Sequence, residues 1–211
     1  MRRAVSLSAK GTVFWLSMAF AFICIAWINT NHTAQAINYG AGTYGTCTYG
    51  TCNISLTTSG SIAVNVTPAA GATRCTVSSD SVTASTDSST GYTVTLTDTD
   101  TTNNLSGPTS IAATSGTPAA PIVLAANTWG FRVDSVAGFG AGPTSAATNA
   151  TVPTVKFAAV PLSSGTAATI RTTSSADSST VSTPVWFGVC ANTSLQSGSY
   201  TDSVTYTAVI N

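Results

Sequence analysis

Apolar residues alternate with small polar ones from Ile54 to the end of the chain. Residues 61–67 read Ser-Ile-Ala-Val-Asn-Val-Thr, which predicts a half-buried strand with Ile62, Val64 and Val66 on one face. The same rule turns Cys75 and Val77 inward in 73–77, and Tyr92, Val94 and Leu96 inward in 92–97. In 200–210 it sets Tyr200, Val204, Tyr206 and Ile210 on a common face. Further strands are predicted at 121–125, 129–134, 154–159, 169–173 and 185–190, between turns rich in Ser, Asp, Gly and Pro. No segment has the period of a helix, and the Gly/Ala-rich stretch 137–150 predicts a long loop. The expected fold is all-β, an antiparallel two-layer β-sandwich over residues 54–211, because sheets that are apolar on one face bury those faces against each other.

The chain begins differently. Arg2, Arg3 and Lys10 precede an uncharged apolar stretch, 12–28, and Ala34-Gln35-Ala36 follows as a small-x-small site. This layout predicts a signal peptide over residues 1–36 and a secreted, cell-surface product beginning at Ile37. Residues 37–53 form a Tyr-Gly and Cys-rich N-terminal arm, with Tyr39-Gly40, Tyr44-Gly45 and Tyr49-Gly50 spaced five apart. Once Cys24 is removed with the signal, Cys47, Cys52, Cys75 and Cys190 remain, an even set in an exported chain, which reads as two disulfides. Three pairings are open. The preferred one joins Cys47 to Cys52 across a short loop and Cys75 to Cys190 across a long one.

Signal removal also takes the only histidine, His32, and leaves four basic residues against seven aspartates, a formal charge of −3. Glutamate is absent. So few cations cannot neutralise many phosphates, which argues against nucleic acid as a partner. Without His or Glu the commonest general base and the usual glycosidase carboxylate are missing, so a secreted hydrolase is only the third reading. No catalytic or cofactor-binding residue is assigned, and no cofactor is expected.

Three segments carry a resemblance: Gly91-Tyr92-Thr93-Val94-Thr95-Leu96, Asn127-Thr128-Trp129-Gly130-Phe131-Arg132-Val133, and residues 198–207 of the last predicted strand. They resemble bacterial surface β-sandwiches, chiefly the WxL-type cell-wall domains and more weakly the spore-coat U and fimbrial subunits. Trp129-Gly130-Phe131 carries Phe where the first family has Leu, and Trp186-Phe187-Gly188 also departs from it. The first resemblance implies non-covalent attachment to a cell-wall polymer. The second implies subunits that self-associate by strand addition.

Several local features are set against plainer readings. Asp98-Thr99-Asp100 with Asn103 and Asn104 gathers oxygen ligands of the kind calcium prefers, but without EF-hand spacing. Local turn hydrogen bonds are the expected use, and no metal ligand is assigned. Trp129 and Trp186 can stack on sugars, yet core packing is preferred. Lys156, the sole lysine after signal removal, is expected to point outward from a sheet. The chain is therefore expected to be a non-enzymatic, secreted structural or adhesive protein of the cell surface. A cell-wall polymer, surface glycan or protein is its expected partner, with no membrane contact after cleavage, and a fimbrial-type subunit is the alternative.

Overall fold

The computed structural model describes residues 52–152, 154–179 and 181–211. Residues 1–36, where a signal peptide is predicted, and all of the predicted arm except Cys52 and Asn53 lie outside the described residues.

No helix occurs among the described residues, and the chain there is all-β. Its strands in order are β1 Ile54–Thr57, β2 Arg74–Thr86, β3 Tyr92–Asp98, β4 Leu105–Ser106, β5 Ser110–Ala113 and β6 Ile122–Val123. They continue as β7 Thr128–Arg132, β8 Ala147–Ala150, β9 Lys156–Phe157, β10 Ala168–Thr172, β11 Ser182–Ala191 and β12 Val204–Ile210. The main sheet runs β1-β2-β11-β7-β5-β4, with β8 also paired to β2. A second sheet runs β10-β3-β12, and β6 pairs with β9. Pairing is antiparallel except between β5 and β7.

The main sheet is buried on both faces, and strand parity explains how. Val82 and Ala84 of β2, with Val185, Phe187 and Val189 of β11, join Tyr92, Val94 and Leu96 of β3, Ile170 of β10 and Ala208 of β12 in one core. Odd-numbered Cys75 and Val77 point the other way and pack with Cys190, Leu124 and Phe157 in a second cluster. In-register neighbours of an antiparallel pair share a face. Cys75 stands opposite Cys190, and Asp80 opposite Val185.

Three sequence expectations need correction. Residues 61–67 are extended, and Ile62, Val64 and Val66 do pack on the main core, but the segment joins no ladder. The edge of β2 that it passes is taken at one end by β1 and at the other by β8. Between them, side chains make the links: Ser59 N–H donates to Asp80 Oδ1, and the Thr76 hydroxyl donates to the Asn65 carbonyl. The expected loop 137–150 contains β8, and its Phe139 is buried edge-on against Phe131, with ring centroids 5.4 Å apart. Strand β11 also starts earlier than expected, because the register carries through Pro184 opposite Ser81.

Candidate functional site

The last strand, β12, forms one side of the β10-β3-β12 sheet. It pairs with β3 from Val204 opposite Asp98 to Ile210 opposite Tyr92. Among the described residues no strand pairs with its other edge. Alternation decides what that edge presents. Val204, Tyr206 and Ile210 are half-buried and Ala208 is buried, while Thr205, Thr207 and Val209 are exposed. Val209 is 37% exposed, high for a valine in a ladder. The Tyr206 hydroxyl is buried without a hydrogen-bond partner. Burial, then the nearby Asp80 carboxylate, pushes its pKa upward, so the phenol stays neutral.

A second feature lies at the start of β12. Asp98 closes β3, Asp100 follows in the next turn, and Asp202 stands two residues before β12. Thr99 draws these segments together, its N–H and hydroxyl both donating to the Ser203 carbonyl at 3.1 and 2.8 Å. One carboxylate oxygen from each of Asp98, Asp100 and Asp202 lies within 4.8 Å of the others. The expected turn bonds are present as well. Asp98 Oδ1 accepts the Asp100 N–H at 3.0 Å, and Asp100 Oδ1 accepts the Thr102 N–H at 2.6 Å. Asn103 and Asn104 are occupied elsewhere, Asn103 donating to the Val160 carbonyl and Asn104 accepting the Ala113 N–H. Asp202 was not anticipated in this group, since nothing local links it to residues a hundred positions earlier.

The other singled-out residues fall in structural places. Cys75 and Cys190 form a disulfide between β2 and β11, with Cα atoms 4.0 Å apart. Cys52 is also disulfide-bonded, and its expected partner Cys47 lies outside the described residues. Trp129 is 4% exposed in the main core, and its indole N–H donates to the Asn103 carbonyl at 2.8 Å. Trp186 is half-buried against the second cluster. Lys156 is exposed. Arg132 is buried, and its Nε lies 2.7 Å from Asp134 Oδ1, with Thr144 bonded to both side chains.

No known protein family, curated protein or solved structure matches this chain.

Proposed function

We propose that this chain is an exported, non-enzymatic structural subunit of the cell exterior that self-associates by strand addition at the open edge of β12. The observation that carries the reading is that edge. An unpaired edge strand displays backbone N–H and C=O groups spaced to match another peptide backbone, which no glycan reproduces. Proteins that avoid such pairing place Lys, Pro or a bulge on the edge. Residues 204–210, Val-Thr-Tyr-Thr-Ala-Val-Ile, contain no charge, proline or glycine. Two such edges meet without charge repulsion, which favours a second copy of this chain as the occupant.

The basic, apolar and small-x-small order of residues 1–36 supports export, and the Cys75–Cys190 disulfide fits an oxidising compartment. Trp129, in one of the three segments that carry the cell-wall resemblance, is enclosed in the core and offers no surface to a polymer.

Sedimentation velocity over a wide concentration range tests the proposal, with the exported protein and its Thr207→Lys/Val209→Lys variant. The parent is expected to associate as concentration rises and the variant to stay monomeric with an unchanged Tm. A parent that remains monomeric at about millimolar concentration, the regime of weak encounters, overturns the reading. So does a variant that associates equally well.

A further inference from the structure

The three aspartates at the start of β12 are arranged for something other than turn formation. Asp98 is 1% exposed, and its Oδ2 is buried with no hydrogen-bond partner. Asp202 Oδ2 is in the same state. A buried, unpaired carboxylate oxygen is costly, and the usual remedy is a cation. Among the described residues both ion pairs lie elsewhere, Arg132 with Asp134 and Arg171 with Asp177. No basic side chain therefore compensates the cluster.

From this geometry we infer that Asp98, Asp100 and Asp202 bind a calcium ion that clamps the end of β3 to the start of β12. All three donors are hard carboxylate oxygens, the chemistry of calcium and magnesium and not of softer metals. Oxygens bound to one calcium at 2.3–2.6 Å stand up to about 5 Å apart, and those on magnesium up to about 4 Å. The three oxygens all lie within 4.8 Å of one another, inside the span one calcium ion bridges, and its flexible coordination suits donors drawn from a strand end, a turn and a loop. The remaining coordination positions fall to water or backbone carbonyls, as is usual for calcium. The site does not depend on the assignment of the β12 edge, although the ion would fix the end of that strand.

Isothermal titration of calcium chloride into the chelator-treated exported protein, with thermal unfolding in parallel, tests the assignment. One ion is expected to bind with a Kd of about 10⁻⁴ to 10⁻³ M, the range of extracellular modules. Calcium at about 10 mM should then raise Tm by several degrees, because it binds only the folded chain. Asp202→Asn should lose the binding heat and the Tm rise, while unfolding in chelator no earlier than the parent. Asp100→Asn, at an exposed position that leaves the fold intact, should weaken binding at least tenfold. Absence of heat and of any Tm shift in the parent at about 10 mM calcium overturns the proposal. Undiminished binding by Asp202→Asn, or magnesium matching calcium, does the same.

Discussion

The Tyr92 hydroxyl on β3 donates to the Ala84 carbonyl on β2 at 3.0 Å, so a hydrogen bond crosses between the two larger sheets inside their shared core. Burial raises the pKa of this phenol and keeps it a donor. Around it, Asp177 Oδ2 lies 3.3 Å from the hydroxyl and 2.9 Å from the Arg171 guanidinium, which sits 6.0 Å from the ring centroid. Tyr92→Phe keeps the ring and deletes the bond, and is expected to lower the unfolding free energy by about 1 kcal/mol. Urea denaturation should show a reduced midpoint with an unchanged slope. An unchanged midpoint would deny the bond any net contribution.

Gly188 lies directly under the ring of Phe157. A Cβ at this glycine would come within 2.7 Å of two ring carbons and 3.0 Å of Leu124 Cδ1. Its cross-strand neighbour Gly130 is equally tight but meets other groups, a Cβ there coming within 2.5 Å of the Ala158 carbonyl oxygen, so fully buried Phe157 rests on Gly188. Gly188→Ala is expected to destabilise by about 1–3 kcal/mol through overpacking. Combining it with Phe157→Leu should cost less than the sum of the two single changes, because the sites share one space. Strict additivity in a urea double-mutant cycle would contradict this.

The Cys75–Cys190 disulfide spans 115 residues of sequence. Closing a loop of that length restricts the unfolded chain by on the order of 4 kcal/mol. The Cys75→Ala/Cys190→Ala variant should lose about that much stability, read as a lower urea midpoint. Non-reducing peptide mapping should recover Cys75 joined to Cys190. Recovery of Cys75 joined to Cys52 would refute the pairing.

Asp134 makes acid stability measurable at one loop. Burial works to raise its pKa, but the Thr144 hydroxyl and N–H and the Arg132 guanidinium outweigh it and hold the pKa below the usual value. A carboxyl with a lowered folded pKa contributes stability that is fully present above its unfolded pKa and lost as pH falls through the folded one. The protein should therefore weaken progressively below about pH 4. Asp134→Asn should cost about 2 kcal/mol at neutral pH and flatten the acid limb. Chemical denaturation at stepped pH checks both, and parallel acid limbs for variant and parent would rule Asp134 out as their source.

Much of the inward-facing set was legible because alternation reports burial directly. Val82 escaped notice only because the Ser-rich middle of β2 interrupts the apolar signal, and β2 extends to Thr86 with Asp80 on its core face. Strands β4, β5 and β8 were not anticipated, being two to four residues long and held by their neighbours and not by their own pattern. In the candidate site, Asp98 and Asp100 could be picked out by composition. Their third partner could not.

The amino-acid order alone determined the all-β character and the inward parity of most segments, since a period of two is a property of a few adjacent residues. It also supplied the expectation of two disulfides, through the count of cysteines. Which strand edge stays unpaired, why residues 61–67 alternate yet join no ladder, and how Asp202 meets Asp98 were decided only by the tertiary structure. Those relationships depend on contacts between segments as much as a hundred residues apart, and no local pattern encodes which distant backbone will arrive first at a given edge.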